Sequence, residues 1–246
     1  MRKHRLYHVG ELHVGQEIVL STTNSDKIIN VLRLKTARQI ILFNNTGFDF
    51  VAEITATARR RVSAIIQEQQ HVLTESPLNI HLGQVLTKGQ KMDFLLQKAT
   101  ELGVSKIIPV ITERTITKNL NLKRMQDIAI ESSEQCERIT IPEVCAVKKL
   151  KDLIPNWDND RIIFFCDETI RNNDFAKIDF QNISTKSFGA ILVGPEGGFS
   201  TNETNYLREK KFIRPIDLGP RILRSDTAVI AALSLWHCLN GDIKSN

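Results

Sequence analysis

The chain has 246 residues, 41% hydrophobic and 25% charged, with a formal net charge of +5. This balance fits one large or two small folded domains and excludes a disordered or low-complexity chain. Its four cysteines (Cys136, Cys145, Cys166, Cys238) form no C-x-x-C pair and no zinc spacing, so reduced thiols, no metal and a cytoplasmic setting are expected.

The first third reads as β. Short strands are expected at Glu17–Leu20, Gln39–Phe43, Phe50–Thr55 and Val62–Ile66, with Asn44-Asn45 and Gly47 supplying turns. Asp26–Arg33 has Ile28, Ile29 and Leu32 at helical spacing. Several short strands with little helix suggest a small barrel. The polar run Glu68–Pro77 marks a domain boundary, placed between residues 73 and 74. Residues 1–73 hold ten Lys and Arg against six Asp and Glu, whereas residues 74–246 hold 23 against 22. The basic surplus therefore sits in the first domain and suggests a polyanionic partner, nucleic acid first.

From Leu78 onward strands and helices alternate. Strands are expected at Leu78–Leu86, Ile107–Ile111, Arg161–Cys166, Ala190–Val193 and Ile213–Leu218. Met92, Leu95, Leu96, Ala99 and Leu102 recur at helical spacing, and Gly103 is a helix stop. Leu122–Arg138 and Asp226–Leu239 are further helices, and Ser200-Thr-Asn-Glu203 is a capping box. The alternation implies a mainly parallel sheet with helices on both faces. No segment approaches the roughly 18 apolar residues of a membrane span, and no signal-peptide core follows Arg2-Lys-His-Arg5.

Two glycine-bearing loops follow successive strands. Gly194-Pro-Glu-Gly-Gly198 puts four special residues and one carboxylate, Glu196, in five positions, more than a tight turn needs. It is neither a Rossmann fingerprint nor a P-loop. Asp217-Leu-Gly-Pro-Arg221 leads into Ile222-Leu-Arg-Ser-Asp-Thr-Ala228. Ser225 and Asp226 suit a helix start; Arg224, a cation there, needs a separate task. Loops at the carboxyl ends of neighbouring strands suggest one small-molecule pocket.

Six motifs in order carry a resemblance: Gln84-Val-Leu86, Lys88-Gly-Gln-Lys-Met-Asp93, Gln97-Lys-Ala-Thr-Glu-Leu-Gly-Val104, Glu134-Gln-Cys-Glu-Arg138, Gly194-Pro-Glu-Gly-Gly-Phe199 and Leu218-Gly-Pro-Arg-Ile-Leu-Arg224. Together they resemble the bacterial 16S ribosomal RNA uridine N3-methyltransferases, a branch of the SPOUT superfamily. The sequence departs from the family's habit at Ser132-Ser133, at Asp226 in place of Glu, and at Ile28-Ile-Asn30.

The resemblance implies an α/β protein: a PUA-like β-barrel that binds RNA, then a SPOUT methyltransferase domain with a C-terminal trefoil knot. It also implies S-adenosylmethionine as cofactor, 16S rRNA of the small subunit as partner, and a homodimer. The expected cofactor residues are Leu86, Gly194, Pro195, Glu196, Gly197, Gly198, Leu218, Gly219, Ile222, Leu223 and Thr227. The expected catalytic residues are Glu196, Arg224 and Asp226, with either carboxylate as the base. RNA contacts are expected from Arg33, Lys35, Arg38, Lys91, Arg114 and Arg138. A 2′-O-ribose methyltransferase and a non-catalytic PUA-type RNA-binding protein are the competing readings.

Overall fold

A computed structural model describes residues 3–71, 79–85, 87, 89–116, 120–170 and 188–240. Its contacts divide into two units, Met1–Glu75 with Ile130–Ile141, and Ser76–Ala129 with Pro142–Asn246. The boundary expected between residues 73 and 74 lies outside the described residues. The segment Ile130–Ile141, expected in the second domain, clusters with the first.

The first unit is a five-stranded sheet: β1 (His4–Tyr7), β2 (Glu17–Val19), β3 (Gln39–Phe43), β4 (Phe48–Ala58) and β5 (Arg61–His71), in the order β1-β3-β4-β5-β2. β1 joins β3 in parallel and the other pairs are antiparallel. Two irregularities in the β4–β5 ladder, at Val51/Ala52 and Ile54/Ala56, bend the long hairpin. One core takes Leu6, Ile18, Ile40, Ile54 and Ile66 from all five strands, so the sheet curls around a single interior. The helix expected at Asp26–Arg33 begins earlier. Ser21 Oγ accepts the Asn24 N–H (3.1 Å) and starts α1 (Thr22–Asp26), which continues as a π turn to Val31. Arg33, at φ +52°, ends it.

Within this unit the end of helix α3 (Leu122–Cys136) is held by buried polar groups. Arg5 is 7% exposed, lies 3.6 Å over the Phe43 ring and pairs with Asp49 (2.8 Å). It also donates to the carbonyls of Ser133 and Arg138 at the helix end, the first of which accepts the Arg138 N–H (3.1 Å) as well. Glu134 accepts from the Tyr7 N–H (2.9 Å) and pairs with Lys27.

The second unit is a parallel sheet of β6 (Asn79–Val85), β7 (Lys106–Ile111), β8 (Glu143–Val144), β9 (Lys148–Lys149), β10 (Ile163–Cys166), β11 (Phe188–Val193) and β12 (Ile213–Ile216). Its order is β12-β10-β11-β6-β7-β8, with β9 also on β7. Alternate side chains point to opposite faces. Phe164, Ile191 and Leu82 pack with α2 (Gly89–Glu101) and α6 (Ser225–Asn240). Phe165, Leu192 and Val110 pack with α4 (Leu150–Leu153) and α5 (Thr201–Arg208). Gly189 makes room for Trp236, since a Cβ there would lie 2.4 Å from the indole. Gly103, at φ +76°, follows α2 as the expected stop. Among the described residues no helix is long and apolar enough to cross a membrane.

Candidate active site

β10, β11 and β12 are parallel neighbours, so their carboxyl ends and following loops meet at one edge of the sheet. After β11 the chain turns at Gly194-Pro-Glu-Gly-Gly198, closed by the Gly198 N–H on the Pro195 carbonyl (2.9 Å). Gly198 has φ +65°, and a Cβ there would fall 2.4 Å from Glu168 Oε1. At Gly194 a Cβ would fall 2.8 Å from the Phe199 ring. Gly197 differs: its Cβ would meet nothing nearer than 3.9 Å, so close approach requires glycine at 194 and 198, not at 197.

The loop then enters α5 through the capping box. Ser200 Oγ accepts the Glu203 N–H (3.1 Å) and Glu203 Oε2 accepts the Ser200 N–H (3.0 Å). Glu203 Oε1 takes the Glu113 N–H (2.8 Å) from the loop after β7. After β12, Asp217 Oδ1 accepts the Gly219 N–H (2.9 Å) and Gly219 turns at φ +103°.

These loops enclose a cavity at the carboxyl ends of the three strands. Phe165, Val193, Ile216, Leu218, Leu223 and Ala228 give it apolar walls. Gly194, Pro195, Gly198 and Gly219 supply backbone, and Asp167, Glu168, Thr169, Asp217 and Arg221 the polar rim. Cys166 also lines it, its thiol pushed up to about 12 by burial.

A second, smaller cavity adjoins the first. Thr87, Lys91, Leu95, Glu196, Arg224, Ser225 and Asp226 line it, and Ser225 is common to both. Ser225 Oγ donates to the Gly194 carbonyl (3.2 Å) and accepts from Gln84 Nε2 (3.0 Å), which ties α6 to β6 and the glycine loop. Lys91 Nζ lies 2.9 Å from Glu196 Oε1. That hydrogen bond holds the Glu196 carboxyl below the usual carboxylate range, against partial burial and the negative charge of Asp226. Asp226 Oδ1 accepts the Thr227 N–H (2.8 Å). The Arg224 guanidinium is exposed and has no partner among the described residues.

The expected residues therefore separate. Gly194, Pro195, Gly198, Leu218, Gly219 and Leu223 line the larger cavity, and Glu196, Arg224 and Asp226 the smaller one. Gly197 lines neither; its carbonyl accepts from Arg114 Nη1 (2.8 Å). Ile222 is 73% exposed and, like the exposed Thr227, lines neither cavity. Leu86 lies outside the described residues.

Of the residues expected to meet RNA, Arg33, Lys35 and Arg38 are exposed on one loop of the first unit. Lys91 is drawn into the smaller cavity instead, and Arg114 braces the glycine loop. Arg138 corrects the expectation. It is 8% exposed and its guanidinium bonds Thr140 Oγ1 (3.1 Å), so it presents little to a phosphate. Sequence reasoning missed Asp167, Glu168, Thr169, Arg221 and Gln84. The signal for the first three was their place directly after β10, level with the glycine loop after β11.

Among the described residues no group of three or more His, Cys, Asp or Glu is placed to hold a metal ion.

Comparison with known proteins bears on this edge of the sheet. Residues 74–237 match the RNA methyltransferase domain, and residues 28–67 the RNA methyltransferase PUA domain. Ribosomal RNA small subunit methyltransferase E of Buchnera aphidicola is 37% identical, with 97% of each chain covered. The chain belongs to the ribosomal RNA small subunit methyltransferase E family. The Bacillus subtilis member is 31% identical, with 84% of each chain covered. A solved methyltransferase of Legionella pneumophila with bound S-adenosylmethionine aligns at TM-score 0.90 and 33% identity, covering 99% of this chain and 100% of its own. The family's enzyme from Neisseria gonorrhoeae, also solved with S-adenosylmethionine, aligns at TM-score 0.89 and 33% identity with the same coverage. Membership establishes the methyltransferase class and the PUA-plus-α/β architecture for this chain.

Proposed function

We propose that this protein methylates N3 of a uridine in 16S ribosomal RNA of the small subunit, with S-adenosylmethionine as donor. The observation that carries the reading is the pair of adjoining cavities that share Ser225. One is apolar-walled and glycine-edged; the other holds two cations and two carboxylates. The residues of the larger cavity fit the cofactor. Its apolar walls suit a purine, and a Cβ at Gly194 or Gly198 would clash with a neighbouring side chain. S-adenosylmethionine supplies an electrophilic methyl on a sulfonium.

Uracil N3 carries a proton that must leave as the nitrogen attacks, so the chain must accept that proton and stabilise the resulting charge. Asp226 takes the proton. Glu196 is already engaged by Lys91, whose hydrogen bond favours its ionised form. Asp226 keeps one carboxylate oxygen without a partner among the described residues. Arg224 and Lys91 offset the negative charge that develops on the uracil. Ser225, fixed between Gln84 and Gly194, sets the wall between the cofactor and the base. N3 lies on the pairing edge of the base, so the target uridine is unpaired when it reacts.

Arg33, Lys35 and Arg38 contact RNA phosphates through the PUA-like unit. The enzyme acts in the cytoplasm as a homodimer, and its C-terminal segment forms a trefoil knot; both follow from the family resemblance.

The test is methylation of small-subunit RNA and of assembled subunits, followed by mass spectrometry of the nucleosides. 3-Methyluridine is the expected product. A 2′-O-methylated nucleoside, or no transfer with either substrate, would overturn the reading.

A further inference from the structure

A groove of the second unit has no part in the reaction described above. It opens past the carboxyl end of β7, between that strand, the start of α4 and the side of α5. Ile111, Leu150 and Tyr206 give it an apolar floor, and the exposed Glu113, Lys149, Lys151 and Asn202 a polar rim. The side chains of Glu113, Lys149 and Lys151 have no hydrogen-bond or ion-pair partner among the described residues.

The frame of the groove is fixed. Ile111 and Lys149 are partners in the parallel β7–β9 ladder. Thr115 Oγ1 accepts the Thr112 N–H (2.8 Å) and closes the turn after β7, while Glu203 Oε1 accepts the Glu113 N–H (2.8 Å). Both oxygens of Glu203 are thus taken by backbone N–H groups, and the carboxylate left free in the groove is that of Glu113. Asn202 and Tyr206 stand one turn apart on α5 and share a face. Lys210 Nζ lies over the Tyr206 ring, 4.3 Å from its centroid, a third cation beside Lys149 and Lys151. The groove also borders the reaction site. Arg114, next to Glu113, donates to the Gly197 carbonyl (2.8 Å), and Glu196, the residue before Gly197, lines the smaller cavity.

We propose that this groove receives a ribonucleotide flanking the target uridine, its base against Tyr206 and Leu150, its phosphates on Lys149 and Lys151, and its ribose hydroxyl on Glu113. The three parts of a ribonucleotide match the three kinds of wall. An aromatic ring takes the face of any base. Lysine meets a phosphate as a point charge. A carboxylate only accepts, and the 2′-hydroxyl it would accept from is the group that separates RNA from DNA. A bare anion would meet the charge of Glu113, a basic peptide would meet three lysines, and an apolar peptide would use none of the four charges. The inference rests on the RNA methyltransferase reading and extends its footprint to a nucleotide beside the target.

The test is binding of small-subunit RNA, assembled small subunits and uridine monophosphate, across a salt series, to the full-length protein and its variants. Lys149→Gln combined with Lys151→Gln should weaken both RNA substrates about tenfold. The slope of log affinity against log salt should become shallower by about 1.4, the share of two single-strand phosphate contacts. Tyr206→Ala should weaken RNA binding about tenfold and Tyr206→Phe should stay within about twofold, since the ring and not the hydroxyl meets the base. Glu113→Ala should lower the preference for RNA over DNA of the same sequence about fivefold. Calorimetric affinity for S-adenosylmethionine should stay within about twofold throughout. Tyr206 is half-buried, so a thermal melt checks the fold of Tyr206→Ala; the lysines are exposed and their variant carries the test alone if that one unfolds. Unchanged affinity and salt slope in the lysine variant would overturn the inference while sparing the methyltransferase reading. So would a loss confined to assembled subunits, which would assign the groove to a ribosomal protein. Loss of uridine monophosphate binding with RNA affinity intact would make it a free-nucleotide site and overturn it as well. If the parent chain transfers no methyl group to either RNA substrate, the methyltransferase reading itself fails.

Discussion

Lys91 and Glu196 form an ion pair of 2.9 Å across 105 positions of the chain. Each is about half exposed, so water screens the pair and its contribution to stability is small. Its chemical effect is larger. The ammonium holds the Glu196 carboxyl below its ordinary value, so Glu196 stays ionised through the neutral range and is a poor proton acceptor. Asp226→Asn should therefore lower kcat about a hundredfold or more with little change in KM, and Glu196→Gln by about tenfold or less. Arg224→Ala should lower kcat as well, with partial recovery at higher pH, where more uracil is already deprotonated. Single-turnover methylation across a pH series measures all three. A larger loss in Glu196→Gln than in Asp226→Asn would exchange their roles.

The two adjacent glycines of the loop should respond differently. Gly198 has φ +65° and faces Glu168, whereas Gly197 has neither constraint. Gly198→Ala should weaken S-adenosylmethionine binding at least tenfold, and Gly197→Ala should leave it within about twofold. Equal effects in calorimetric titration would show that loop flexibility, not close packing, sets the affinity.

Arg5 anchors the end of α3 within the first unit. Replacing it with Met keeps an apolar stem over Phe43 but removes the cation that pairs with Asp49 and the donor that reaches the carbonyls of Ser133 and Arg138. The expected cost is about 3 kcal/mol in urea unfolding. Adding Asp49→Leu should recover part of this by removing the unpaired charge; the bonds from Arg5 to the carbonyls of Ser133 and Arg138 would stay lost. A single variant within about 0.5 kcal/mol of the parent would show that the cluster is incidental.

His81 couples the second unit to pH. Burial, then the charges of Arg161 and Lys106, push its pKa down to about 4, against opposing pulls from Glu143 and Asp158. The folded state therefore binds fewer protons than the unfolded state between pH 6.5 and about 4. Stability should be fullest above pH 6.5 and fall as the pH drops toward 4. The total loss is bounded by about 3 kcal/mol, less because water reaches part of the ring. His81→Asn should flatten that slope in urea titrations at pH 7 and pH 4.5. An unchanged slope would assign the acid sensitivity to other groups.

The elements legible in the sequence were those with a local signal. Met92, Leu95, Leu96 and Ala99 announce the buried face of α2, and Ser200 with Glu203 announces the start of α5. β1 was not legible. It has four residues, two of them His4 and Arg5, and its pairing with β3 is parallel and distant in sequence. β8 and β9, at two residues each, carry no period to read. The glycine loops marked the site, because clustered glycines need a backbone reason. Lys91 and Arg138 were expected to contact RNA; three-dimensional neighbours give each a partner within the protein instead. Asp167 and Glu168 were hidden because two acids after a strand also describe an ordinary turn.

Glu203 divides its carboxylate between two loops, one oxygen for the start of its own helix and one for the backbone of Glu113. The start of α5 is thus not a modular part. A chimera that imports residues 200–208 from a relative lacking this acid would lose the cap and, in the same stroke, leave the Glu113 amide without its acceptor. Any graft across this edge of the sheet should carry residues 112–115 along with the helix, as one exchangeable block.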